Sequence, residues 1–346
     1  VAAITDTRTF DQMWAHVRTT ILPRMENTWY EGNPLLRKME RAGSVILKGG
    51  RELDVRLEVE EGLSQEFDGY EVLTTVETDP FKGAKMNWAY LQVPIVCDRA
   101  DIYEAKGPDQ IADLQRSKTE HAKRTMRTKV SKLMFDTGTH FLGLKSAVPY
   151  NGDSTGTYAN INRATYSWWR NNVQDCGSAY TYNSDGSVND NKLINHLSTY
   201  IRKATQNDLE NALNSVIITG NTVMGYMEKV GFKTFNLVQE DMPRGGNKGD
   251  LGLVFPVFRG LPILVDDYIE DYKPGASNET GHGVYILNLK YLKWYRMAGL
   301  NFTADEWRKS DEQFSLFTRF FLAHQLFCTN PRFQTVIYGI DAPAAA

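Results

Sequence analysis

Between Pro108 and Gly138 the chain runs DQIADLQRSKTEHAKRTMRTKVSKLMFDT without a glycine or proline, and no other feature constrains its fold as strongly. The run is rich in good helix formers, and Pro108 with Asp109 supplies a start. It predicts one helix over residues 109–137, about 42 Å long at 1.5 Å per residue. Its apolar positions, Ile111, Leu114, Ala122, Met126, Val130 and Leu133, make a narrow stripe, and the remainder is basic. Such a helix is a spine with one buried edge, around which other elements must gather.

With 346 residues, 42% hydrophobic and 23% charged, the chain can bury a sizeable core and exceeds the usual single domain, so two or more lobes are expected. Cys97, Cys176 and Cys328 are far apart and odd in number, which points to folding in a reducing compartment rather than to a disulfide scaffold or zinc ribbon. The opening VAAITDTRTF lacks a basic region followed by an apolar run, and no apolar stretch nears the roughly 20 residues of a membrane helix. Neither secretion nor a membrane partner is expected.

A formal charge of −3 argues against a surface given over wholly to nucleic acid. The charge is nonetheless segregated. Residues 51–79 carry ten carboxylates, among them Glu58, Glu60, Glu61, Glu66, Asp68 and Glu71, against Arg51 and Arg56. Residues 116–132 carry Arg116, Lys118, Lys123, Arg124, Arg127, Lys129 and Lys132 against Glu120. The basic helix has two physical readings: it meets phosphates, which Lys and Arg neutralise without base specificity, or it meets the acidic ribbon of another copy.

Around the helix the pattern is mixed. The first forty residues combine helix-like spacing (Phe10, Met13, Trp14, Val17) with turn signals at Pro23 and at Gly32, Asn33 and Pro34, and read as an arm that docks elsewhere. LDVRLEVE at 53–60 alternates strictly, and further alternations follow at Tyr70, Val72, Thr74 and Val76 and at Met86, Trp88 and Tyr90. Together they predict a long charged β-ribbon, marginal alone and in need of a surface such as a neighbouring subunit. Residues 138–191 are rich in Gly, Asn, Ser, Thr and Tyr and predict an irregular segment. A helix over Lys192–Leu213, a strand Val216–Thr219, a helix near Val223–Val230 and strands near Leu253–Phe258, Leu261–Val265 and Val284–Leu287 predict an α/β or α+β lobe. A run from Phe314 to Phe327, apolar on both faces, and a strand near Thr335–Ile340, in which Val336, Tyr338 and Ile340 alternate, close the chain.

Catalytic patterns are missing. The six histidines form no metal-ligand spacing, RGGNKGD at 244–250 lacks the phosphate-loop pattern, and there is no nucleophile elbow. No metal or cofactor is expected, and the glycine-rich stretch reads as a surface loop.

Two stretches carry a resemblance. GTYANINRATYSWWRNNV at 156–173 and NFTADEWRKSDEQFSLFTRFFLAHQLFCTNPRFQTVIYGI at 301–340 resemble segments of the major capsid proteins of tailed bacteriophages, through Arg163, Trp168, Trp169 and Arg170 in the first and Trp307, Asn330, Arg332 and Gln334 in the second. The resemblance implies an α+β, HK97-like fold: an N-terminal arm (1–42), an extended loop (43–97), a peripheral domain with the spine helix (98–191), an axial domain (192–289) and a return to the peripheral domain (290–346). It further implies hexamers and pentamers in an icosahedral head shell around double-stranded DNA, without enzymatic activity, assembled in the bacterial cytoplasm with scaffolding, portal and decoration or cement proteins as partners. Gly245, Gly246, Asn247 and Lys248 would lie in a loop near a symmetry axis. Some relatives carry a cleaved scaffolding region. Nothing similar precedes Val1, so a separate scaffolding protein is expected. A few relatives crosslink a loop lysine to a neighbour's asparagine with a glutamate as catalyst; Lys82, Lys85 and Asn330 are the candidates here. Two rivals stand beside this reading: an encapsulin, a cellular compartment with the same fold that encloses a cargo enzyme, and an α+β enzyme whose site assembles from scattered residues.

Overall fold

The fold is described from a computed structural model, for residues 33–59, 66–71, 81–104, 108–135, 140–150, 156–175, 190–206, 208–225, 227, 257–269, 282–311 and 313–340. The alternation at 72–76 and the 244–250 loop lie outside these residues, as do Glu60 and Glu61.

The described chain begins with a short helix, α1 (Pro34–Arg41). The expected turn at Asn33–Pro34 is its start: Asn33 Oδ1 accepts the Leu36 N–H at 3.0 Å, and Pro34 sits in the first turn, where its missing N–H costs nothing. Leu35, Leu36 and Met39 are fully buried, which gives this segment an apolar face of its own. Strands β1 (Val45–Lys48), β2 (Leu53–Glu58), β3 (Phe81–Met86) and β4 (Ala89–Asp98) follow. β2 alternates as the sequence requires, with Leu53 and Leu57 buried and Asp54, Arg56 and Glu58 exposed. The expected single alternation through Met86, Trp88 and Tyr90 instead breaks at Asn87–Trp88. Met86 closes the β2–β3 hairpin, Trp88 anchors the junction by donating from Nε1 to Gly50 O (3.0 Å), and Tyr90 begins the exposed face of β4.

After α2 (Arg99–Glu104) comes the spine, α3 (Pro108–Phe135), 28 residues long. Gln115, Thr119, Ala122, Met126, Val130 and Met134 are its buried edge, at the three- and four-residue spacing that puts side chains on one helix face. The described residues between 140 and 175 hold only short elements: α4 (Leu144–Ala147), a hairpin of β5 (Thr157–Tyr158) and β6 (Ile161–Asn162), a 3-10 turn Ser167–Trp169, and β7 (Asn172–Asp175).

The helix expected over 192–213 is two helices, α5 (Asp190–Thr205) and α6 (Leu209–Leu213). Gln206 at φ +50° ends the first, and Asp208 caps the second through Oδ1 to Glu210 N at 3.2 Å. Residues 221–225 are helical, where a helix was expected near Val223–Val230, and the remaining strands are β8 (Ser215–Thr219), β9 (Val257–Phe258), β10 (Leu261–Val265), β11 (His282–Asn288), β12 (Leu292–Met297), β13 (Thr303–Ala304), β14 (Arg308–Lys309), β15 (Ser315–Cys328) and β16 (Thr335–Ile340).

These strands form two six-stranded sheets. In the first, β15 is the axis: β4 runs antiparallel along one edge, and β14, β13 and β12 pair in turn along the other, with β1 parallel beyond β12. Both faces of β15 are covered over residues 322–328, which explains its unbroken apolar sequence. The second sheet has the order β7-β16-β11-β8-β10-β9. Within it β8 faces two cores. Val216 and Ile218 join the main core with Tyr285, Leu287 and Val336, while Ile217 packs with Ile263, Ile286 and Ile337 beneath Leu197, Ile201 and Ala204 of α5. A strand buried on both faces reads as continuous apolar sequence, and SVIIT is wholly buried.

Candidate assembly surfaces

The 156–173 segment is built around a buried arginine. The β5–β6 turn places Ala159 and Asn160 at φ +51° and +64°, the positive angles that a two-residue hairpin needs. The turn sends Arg163 inward, 3% exposed, where Nη2 donates to Ser146 O (2.9 Å) and Ala147 O (3.0 Å) at the end of α4 and the guanidinium lies over the Tyr158 ring at 5.1 Å. Helix-terminal carbonyls and a ring face stabilise a cation there. Burial pulls the Arg163 guanidinium below its ordinary value and the nearby Tyr158 opposes that shift.

Trp169 is fully buried, its Nε1 donating to Tyr158 O at 3.1 Å, while Trp168 packs edge-on against it at 5.4 Å and stays half-buried. Arg170 holds the same turn from outside, through Nε to Arg163 O (2.8 Å) and Nη2 to Ala164 O (2.9 Å).

The closing segment meets this one directly. Asn330 Oδ1 accepts the Arg332 N–H at 3.2 Å and shapes the 3-10 turn Pro331–Phe333. Asn172 donates from Nδ2 to Arg332 O (2.7 Å) and from its backbone to Gln334 O (2.9 Å), after which β7 and β16 run parallel. The buried Gln334 side chain acts as a strand partner, accepting from Asn288 N at 2.9 Å and donating to Asn288 O at 3.0 Å. Arg163, Trp169 and Arg170 thus form one cluster and Asn330, Arg332 and Gln334 another. Trp307 stands apart between β13 and β14, half-buried. Tyr158, Asn172 and Asn288, which sequence reasoning did not single out, make the connections. Tyr158 accepts the Cys328 N–H at 3.0 Å across 170 positions, and its place inside the first motif was the available signal. Burial pushes the Cys328 thiol up to about 12 and raises Tyr158 as well.

The β2–β3 hairpin lies over the same segment of its own chain. Lys85 N donates to Ala159 O at 3.1 Å, and Lys82 Nζ sits 3.5 Å from the centre of the Tyr166 ring. Opposite strands place Lys85 across from Asp54 and leave Arg56 between Asp54 and Glu58, so the exposed face of this hairpin is mixed in charge. Glu66, Asp68 and Glu71 are all exposed, in company with Phe67 and Tyr70.

On α3 the seven basic residues are exposed or half-exposed. At about 100° per residue, Arg116, Lys123 and Arg127 line one flank and Lys118, Lys129 and Lys132 the other. The crest between them carries Ser117, His121, Arg124 and Thr128, all exposed, with Asp113 and Glu120 between it and the first flank and Thr125 among the lysines of the second. An exposed ion pair joins Arg116 to Glu120 at 3.3 Å.

No family model matches the sequence, and no curated protein matches it. Solved structures do match. The capsid of cyanophage A-1(L) aligns over 86% of this chain and 91% of its own at 18% identity, with a TM-score of 0.60. The capsid of a native GTA particle aligns over 88% and 90% at 9% identity and 0.59. The fold is HK97-like. An encapsulin from Synechococcus elongatus PCC 7942 shares the same HK97-like architecture over 87% of this chain and 86% of its own, at 10% identity and 0.54. In this HK97-like chain the two motif segments are the tie between the sheets, while the basic flanks of α3 and the charged face of the β2–β3 hairpin are exposed or half-exposed. Among the described residues no group of three or more His, Cys, Asp or Glu is arranged to hold a metal, and no helix is long and apolar enough to cross a membrane.

Proposed function

We propose that this chain is the major coat subunit of a tailed bacteriophage head, copies of which assemble as hexamers and pentamers into an icosahedral shell around double-stranded DNA. The observation that carries the reading is the HK97-like architecture over most of the chain, joined to the two capsid-like motif segments that this architecture brings into contact. The axial and peripheral division at 192–289 and 98–191 with 290–346, the axial 245–248 loop, the scaffolding, portal and decoration partners, assembly in the host cytoplasm and residence in the virion all follow from it as parts of the proposal.

The reading gives the chain no catalytic role. Its titratable side chains with large shifts, Cys97, Cys328, Tyr158 and His324, are all moved by burial toward their uncharged forms, and structural burial produces that shift without chemistry. The encapsulin likeness supports a second reading, a shell of the same fold around protein cargo.

Electron microscopy of purified particles with a nuclease-protection assay separates these. Regular shells holding protected, genome-length DNA are expected. Shells holding protein cargo and no DNA would establish the second reading, and soluble monomers under every assembly condition would overturn both.

A further inference from the structure

The spine helix has a geometry that sequence counting does not show. Its cations are not one stripe: Arg116, Lys123 and Arg127 project from one flank, Lys118, Lys129 and Lys132 from the other. Between the rows the exposed crest carries hydroxyls, one imidazole and Arg124, with Asp113 toward its N-terminal end and Glu120 beside the first row, paired with Arg116. A helix with its side chains is about 10–12 Å across, so the rows stand at about the separation of the two phosphate rails that bound a major groove, about 12 Å wide. Long Lys and Arg stems can carry their charges up beside the crest. The helix α1, tied to α3 by Asn33 Nδ2 donating to Ser131 Oγ at 2.9 Å, adds the exposed Arg37 and Arg41.

The other acceptor to be weighed is the hairpin of a second copy. Its described strands interpose Arg56 between Asp54 and Glu58 and set Lys85 opposite Asp54, and Glu66, Asp68 and Glu71 beyond them are a single short acidic run, so it does not offer a negative line to each of the two rows. A nucleic-acid duplex offers two.

We propose that α3 is a duplex-binding surface, whose paired basic rows engage the phosphate backbone on both sides of a groove without reading its sequence. The inference rests on the shell reading for its ligand, the enclosed DNA, and deepens it by naming the residues that face that DNA.

The test measures binding of a fluorescein-labelled, mixed-sequence duplex of about 30 base pairs to the unassembled full-length chain across a salt series. Counterion release makes log Kobs fall linearly with log salt at about −0.9 per phosphate neutralised. Six engaged cations therefore predict a slope near −5 and roughly a thousandfold loss between 50 and 200 mM. Neutralising one row, by Arg116→Gln with Lys123→Gln and Arg127→Gln, or by Lys118→Gln with Lys129→Gln and Lys132→Gln, should reduce the slope by about 2 to 3. The same number of changes elsewhere, Arg202→Gln, Lys203→Gln and Lys309→Gln, should leave it in place. Melting curves confirm that each variant is folded.

A wild-type slope in either row variant overturns the inference, and so does an equal drop in the control. Row variants that keep the slope but no longer form shells would make α3 a contact between copies; the shell reading would then survive while the inference falls. A chain that shows the predicted slopes yet never forms shells would sink the shell reading alone.

Discussion

Single residues fix the packing within each sheet. Gln334 replaces a missing strand partner at Asn288, and removing it would strand a buried N–H and C=O together, each costing about 1–3 kcal/mol. His324, at the centre of β15, is fully buried, stacked on Phe141 at 4.4 Å, and accepts the Trp294 indole N–H on Nδ1 at 3.2 Å. That bond fixes the neutral tautomer, and Nε2 has no hydrogen-bond partner among the described residues. Burial pushes the imidazole down to about 3 from its ordinary 6.5. Between these values the unfolded chain binds the proton and the folded chain does not, so stability is complete above about pH 6.5 and falls as pH drops toward about 3. Denaturant midpoints of His324→Gln are expected to be lower than wild type at pH 7, with the slope between pH 4 and 6 shallower by up to about 1.4 kcal/mol per pH unit. An unchanged slope would show that this histidine does not carry the acid sensitivity.

At the scale of elements, the turns are where local chemistry and tertiary demand agree least. The β9–β10 hairpin turns through Arg259 and Gly260, both at positive φ, +51° and +81°. Glycine meets that demand; arginine is strained by about 1–2 kcal/mol. Replacing the exposed Arg259 by Asn, which tolerates the left-handed region, is expected to stabilise the chain by about 0.5–1 kcal/mol. A raised melting temperature checks it, and a fall would mean that the arginine makes a contact worth more than the strain. The hairpin β2–β3 was expected to need a surface to lie on, a neighbouring subunit being one candidate. Its described strands rest on the chain's own 156–170 segment through Lys85 and Lys82, because Leu53, Leu57, Ala84 and Met86 put one face into the main core.

For the whole molecule, the shell reading makes the subunit a building block whose cohesion lies between copies and need not be covalent. Two of the three residues available for an isopeptide crosslink are already occupied within the chain, Lys82 against Tyr166 and Asn330 in capping the Pro331–Phe333 turn. Purified shells boiled in detergent are therefore expected to run at monomer mass on a denaturing gel. A ladder of covalent multimers would restore the crosslinking idea and identify Lys85 as the first residue to change.

What the sequence determined by itself is what depends on neighbours along the chain. The glycine-free run gave the spine helix, strict alternation gave β2, and the doubly apolar stretches gave β8 and β15, because periodicity and local propensity act over a few residues. The two motif segments could be located, and so could the basic character of 116–132. Tertiary structure decided the rest. Only the folded chain sets Asn172 against Arg332, Tyr158 against Cys328 and Gln334 against Asn288. These pairings join residues 46 to 170 positions apart, and their energy comes from satisfying buried polar groups whose partners no local pattern can announce. The division of the spine's charge into two rows is equally a property of the helix in place, since the buried edge that defines its flanks exists only once the sheets have packed against it.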